Sequence, residues 1–338
     1  MNRGHPSLQR LYRISYWIIP VVLLFFVFRR IDFRSLVSIF RRSNPWLVVL
    51  GVAYYPLVVM IGAWRWRILL TRYVGRIPTQ FVVKHYWIGL GLGYFAPGSL
   101  GWDAYRVAAA GRRYGQYTMN IAVIVVEKLA ALVCCTAIII ALSPSVPVSG
   151  RADLTKVLHW VYALIAVLMA AAIAVALAWR HRPLIERIET GFAALLNKLF
   201  SRFNPGGTAA SSALPIRAMI EPLMAYESML PVLALSFSIQ FLGGLANQVF
   251  FLALGYKISL VANVFLSPVL FFIFLLPISF GSLGVREGAY IVLYRIWGVP
   301  AETALLVSFF NLTGVLLNNA AGGLVMLFSG FKQNGTTR

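Results

Sequence analysis

The chain has 338 residues, 60% hydrophobic and 12% charged, with a mean hydropathy of +0.79; this excludes an ordinary soluble globule and fits a polytopic membrane protein. Against 10 Asp and Glu stand 30 Lys and Arg, a formal net charge of +20. Aromatic and basic residues do not alternate, so the surplus reads as orientation signals and lipid-headgroup contacts, with no nucleic-acid partner.

In chain order, a basic tail (1–13) leads into the first apolar segment, 14–28. Arg29 and Arg30 follow it without a small-residue cleavage site, so the segment is expected to stay as an anchor. In the next stretch Phe33, Leu36, Val37 and Phe40 share one helical face between flanking arginines, which predicts an amphipathic helix in the membrane interface. Segment 45–64 closes on Trp64-Arg65-Trp66-Arg67, read as aromatic and basic anchors at headgroup level. Further apolar segments fall at 81–97, 118–142, 157–179, 231–254, 259–280 and 301–328. These continuous runs, unlike the ~10-residue alternating strands of a β-barrel, predict helices. The fold class is therefore all-α, a polytopic helical membrane bundle of about six to eight transmembrane segments. It forms a single transmembrane domain, 14–330, with halves at about 14–179 and 230–330, a polar connection at 180–229 and a C-terminal tail at 331–338.

Two of the apolar segments are broken. Gly-Ser-Leu-Gly occurs at 98–101 and again at 281–284, each time after a proline (Pro97, Pro277) and before charged residues. Proline ends a helix, while Gly98, Gly101, Gly281 and Gly284 permit a reversal. Hydrocarbon leaves broken backbone unsatisfied, so such breaks persist where protein or a wet cavity lines them. Matching interruptions in two halves point to a transporter's binding site, and backbone N–H groups at the returning helix starts suit an anion. If both broken segments re-enter and return to their own side, with return arms at about 99–113 and 284–297, one face carries 19 Lys/Arg and the other 10. That asymmetry places the N- and C-termini in the cytoplasm. It also makes the broken segments enter from opposite faces, as in an inverted repeat.

Glu127 and Lys128 lie inside segment 118–142. Ionisable groups at that depth cost ~2.5–3.5 kcal/mol on insertion scales and normally face protein or a cavity. They read either as a structural ion pair between helices or as the lining of a headgroup path. Adjacent helical residues point about 100° apart, so each needs its own partner, and Asp103 with Arg106 and Arg286 with Glu287 supply candidates. Arg286 and Arg106 are the residues expected to hold a phosphate, since guanidinium binds phosphate oxygens bidentately. At the 183-residue offset of the two breaks Asp103 matches Arg286 and Lys128 matches Asn311, which joins the polar path. The adjacent Cys134 and Cys135 and four scattered histidines show no disulfide or metal-ligand spacing, so no metal or cofactor is expected. No catalytic constellation is present either.

On Trp64-Arg65-Trp66-Arg67, on Pro97-Gly98-Ser99-Leu100-Gly101-Trp102-Asp103-Ala104-Tyr105-Arg106, on Glu127-Lys128 and above all on 276–287 with Gly298-Val299, the chain resembles the lysylphosphatidylglycerol synthase transmembrane-region, or flippase-like, family. The likeness spans about 15–330. Ser282 stands where that family usually has a second glycine, Lys128 where it often has Arg, and Asn311 where Arg is common. The resemblance implies lipid handling: translocation or presentation of a lipid with a polar, phosphate-bearing headgroup, such as an aminoacyl-phospholipid, a polyprenyl-phosphate sugar or a hopanoid-type lipid. The alternative is a non-catalytic membrane partner or scaffold of a lipid-modifying or glycosyltransferase enzyme. The chain ends ten residues after Phe328, so the aminoacyl-transferase domain of the synthases is expected to be absent and the protein not to be an enzyme. Membrane lipids are the expected partners, and the cytoplasmic (inner) membrane is the expected location.

Overall fold

A computed structural model describes residues 22, 24–29, 31–93, 100–115, 117–145 and 226–275, then 282–334, together with single positions between 159 and 166. Most of segments 14–28 and 157–179, most of the connection 180–229, and the two breaks themselves (with Pro97, Gly98, Pro277 and Gly281) lie outside the described residues. The secondary structure of the described residues is entirely helical.

Helix α1 (Phe33–Arg41) starts where the Asp32 carboxylate accepts the Arg34 N–H at 2.9 Å, an N-cap. Its apolar face stays open: Phe33 is 56% and Phe40 53% exposed, as suits a helix lying against lipid. Helix α2 (Pro45–Tyr73) is capped by Asn44, whose side-chain oxygen accepts from Trp46 and Leu47, with Pro45 in the first turn. The Asn44 N–H donates to the Ala253 carbonyl at 2.8 Å, pinning the start of α2 to the end of helix α6 (Tyr226–Ala253). Arg65 meets Ser236 near the other end, so α2 and α6 run antiparallel. Among the described residues, helices α5 (Tyr117–Leu142) and α9 (Ala301–Asn334) complete a set of four that are long and apolar enough to cross a membrane.

Between these lie shorter helices. Helices α3 (Thr79–Gly93) and α4 (Leu100–Tyr114) have 15 residues each, a rise of about 22 Å that does not reach across a ~30 Å hydrocarbon core. They pair antiparallel. Phe81 meets the Tyr114 ring, His85 Nδ1 lies 2.8 Å from the Tyr105 hydroxyl, and Gly93 abuts Trp102. Helices α7 (Leu260–Leu275) and α8 (Val285–Tyr294) pair the same way, through the Tyr294 hydroxyl to Asn263 at 2.7 Å and Arg286 over the Phe274 ring. The first hairpin leaves from the end of the bundle where α2 finishes. The second leaves from the opposite end, where α6 finishes and the Tyr256 hydroxyl ties the loop to the Gly298 carbonyl. Long, short, short, long is thus the order of α2–α5 and again of α6–α9, with hairpins entering from opposite ends, the inverted arrangement expected from the breaks.

Two apolar clusters hold the hairpins: Trp66, Leu69, Leu70, Val82 and Tyr86 around the first, and Phe250, Phe265, Leu266, Phe272 and Tyr294 around the second. Where α3 crosses α9, Gly91 faces backbone: a Cβ there would lie 2.7 Å from the Gly323 nitrogen, and one on Gly322 would meet the Trp87 carbonyl. The closely spaced glycines of α3 therefore serve helix packing. At the tip of the second hairpin Ser282 has φ 59° and Gly284 φ 79°. Both are left-handed, which is free for glycine but costs a side-chain-bearing residue roughly 1–2 kcal/mol.

Candidate functional site

Five charged side chains from α2, α4 and α5 meet beside the first hairpin. Glu127 is wholly buried. It accepts from Arg65 at 2.7 Å through Oε1 and from Arg106 at 2.9 Å through Oε2. Arg106, also 0% exposed, donates its other terminal nitrogen to Asp103 at 2.5 Å, one helical turn back on α4. The second Asp103 oxygen takes Lys128 at 3.0 Å. Arg65 reaches on to the Ser236 hydroxyl on α6 at 2.9 Å. Three cations and two carboxylates leave the cluster with one net positive charge.

Aromatic faces close it off. The Arg106 guanidinium lies 4.5 Å from the Trp102 ring centre, 5.1 Å from Tyr86 and 5.3 Å from Trp66, and Lys128 Nζ lies 5.4 Å from Trp102. Such stacking stabilises desolvated cations by about 2 kcal/mol or more. Three buried donors at the cluster, Trp102 Nε1, Arg106 Nε and Arg65 Nε, have no acceptor among the described residues. Cations and N–H groups are thus in surplus over oxygens, the donor balance of an oxyanion site. The Lys128 edge is the open one: its side chain is 31% exposed, against 12% for Asp103 and none for Arg106 and Glu127.

A second polar cluster sits by the other hairpin and is built from amides and phenols. The Tyr55 hydroxyl donates to Asn311 at 2.8 Å, Asn311 donates to Asn247 at 3.0 Å, and the Tyr290 hydroxyl reaches the same Asn247 oxygen at 3.1 Å. Asn263 donates to Gln248 at 2.7 Å and Ser267 to Gln240 at 3.1 Å. Ser236, Gln240 and Asn247, all buried, share one face of α6 and run from the charged cluster to this one.

Several expectations need correction. Glu127 and Lys128 do take separate partners, but both come from the first half; Arg286 and Glu287 stand apart at the second hairpin. Arg286 lies over Phe274, while Glu287, fully buried, accepts the Gly284 N–H at 2.6 Å and faces Ser308 at 3.5 Å. At the start of α8 this carboxylate thus takes the N–H of Gly284, the residue just before the helix. Arg106 is enclosed and committed to two carboxylates, so it organises the cluster from behind its open edge. Asn311 joins the amide cluster, away from Lys128. Of the glycines at the breaks, Gly101 lies within the first turn of α4 and Gly284 starts α8.

Arg65 was not among the residues expected at a site, because Trp64-Arg65-Trp66-Arg67 reads as an interfacial anchor. The signal was its register: Gly62, Trp66 and Leu69 lie on the buried face of α2 with it. Arg67, two positions on and across the helix, stacks on Trp64 at 5.1 Å and donates to the Ile77 carbonyl.

Comparison with known families finds a match over residues 13–313 to the family described as Lysylphosphatidylglycerol synthase TM region. No curated protein and no solved structure matches the chain.

Proposed function

The chain belongs to the lysylphosphatidylglycerol synthase transmembrane-region family, and on that premise we propose that it moves a lipid with a phosphate-bearing headgroup between the leaflets of a cytoplasmic membrane. The family supports a membrane protein linked to lipid handling; translocation is the step added here. The observation that carries it is a buried, donor-rich cluster of net charge +1 beside a hairpin that reaches only part-way through the bundle. A phosphate loses its hydration on entering hydrocarbon and needs cations and N–H donors in exchange. Lys128 at the open edge receives it, and Arg106 and Arg65 set the positive field behind. The polar face of α6 leads on to the amide cluster, and the second hairpin opens to the other end. In this reading both termini are cytoplasmic, the partners are membrane lipids, and the protein is a transporter without catalysis of its own.

The test is reconstitution in vesicles carrying tail-labelled phosphatidylglycerol, with dithionite bleaching of the outer leaflet. Transport gives bleaching beyond the outer-leaflet half, and Lys128→Gln slows it. Bleaching that stops at half with a monodisperse, folded protein contradicts translocation and favours a scaffold for a lipid-modifying enzyme.

A further inference from the structure

We infer that Asp103 is a built-in stand-in for the substrate's anion: its carboxylate occupies the place that a phosphate oxyanion takes, and binding requires its displacement. The inference rests on the headgroup reading above and adds how the site is held closed. Asp103 bridges two cations, with Oδ1 on Arg106 at 2.5 Å and Oδ2 on Lys128 at 3.0 Å. It lies at the accessible edge of the cluster, beside the only partly exposed cation of the five-residue network. Glu127 holds the opposite side of Arg106 and is sealed from solvent, so Arg106 keeps one carboxylate partner when Asp103 leaves. A phosphodiester presents two anionic oxygens, as a carboxylate does, so it can replace both Asp103 contacts. Asp103 itself sits in the first turn of α4, on a helix that begins at the hairpin tip. Its release removes the Asp103–Lys128 tie between the returning arm and α5, while the Arg106–Glu127 pair keeps the two helices joined.

This makes a prediction of unusual sign. A carboxylate that serves only to hold helices together should, when neutralised, weaken the protein and its ligand binding alike. A carboxylate that competes with the ligand should, when neutralised, tighten binding. The probes are short-chain phosphatidylglycerol and short-chain diacylglycerol, which lacks phosphate, titrated calorimetrically into the detergent-solubilised full chain, with inorganic phosphate as a separate arm. The wild type should bind phosphatidylglycerol and not diacylglycerol. Asp103→Asn should bind it roughly fivefold tighter, the ratio that corresponds to about 1 kcal/mol, and Lys128→Gln should lose it. Competition by inorganic phosphate would support the displacement and assign the site to free phosphate; its failure to compete assigns the lipid.

No preference of the wild type for phosphatidylglycerol would sink the headgroup reading itself. A preference that Asp103→Asn leaves unchanged or weakens would sink only the displacement. If Asp103→Asn does not fold, Asp103→Ser carries the same test. If neither folds while Asp103→Glu does, the charge is needed to hold the helices, and the proposal is overturned.

Discussion

Glu127 on α5 and Arg106 on α4 form an ion pair at 2.9 Å in which neither side chain touches solvent. The same carboxylate holds Arg65 on α2, so one residue joins three helices. Removing it leaves two buried guanidinium groups short of a counter-charge, a loss of about 3–5 kcal/mol for a broken buried pair. Glu127→Ala is expected to lower thermal stability in detergent steeply. Lys128→Gln, at the open edge, should lower it little.

Ser282 supplies a prediction of the opposite sign. Its φ of 59° is a conformation that glycine adopts without penalty. Ser282→Gly should stabilise the protein by about 1 kcal/mol, the low end of the left-handed cost for a residue with a Cβ, and Ser282→Val should destabilise it by at least as much. Thermal unfolding of the two variants side by side checks both signs.

The bundle was legible because apolar length is a strong signal: segments 45–64, 118–142, 231–254 and 301–328 each fall within or nearly coincide with a long helix. The hairpins were legible from their Pro and Gly residues together with the charge count. The pairing inside the site was harder. Glu127 and Lys128 announce themselves as charges in an apolar run, but which cation reaches Glu127 depends on how α2 is rotated. A Trp-Arg-Trp-Arg pattern looks the same whether Arg65 faces lipid headgroups or the core. Arg286 stands at the other hairpin, over Phe274, apart from the charged cluster. The carboxylate next to it then turned back to cap its own helix, a local bond that spacing alone does not distinguish from a site.

Close packing of α3 on α9 rests on Gly91. A Cβ there meets backbone, which cannot yield as a side chain can. Gly91→Val should cost about 1–3 kcal/mol, as overpacking does. Gly288, within α8, has open space around it. Gly288→Ala should be neutral or gain up to about 1 kcal/mol from helix propensity. Equal losses in thermal stability at both positions would contradict the packing described.

The opposed hairpins can be checked by labelling. Cys134 and Cys135 are both buried and can be replaced by alanine to give a silent background. Single cysteines at Arg76 and Arg113, exposed beside the first hairpin, should react with an impermeant reagent from one face of sealed vesicles. Those at Lys257 and Arg295, exposed beside the second, should react from the other. Labelling of all four from one face contradicts the inverted arrangement.

Recognition of a phosphate-bearing lipid by the cluster around Lys128 can be read from native lipid retention. Wild type and Lys128→Gln would be purified in mild detergent and their co-purifying lipids identified by mass spectrometry. The account expects one phosphate-bearing species enriched over the bulk membrane in the wild type and lost in the variant. A bulk-like profile, unchanged by the substitution in an equally stable protein, would contradict it.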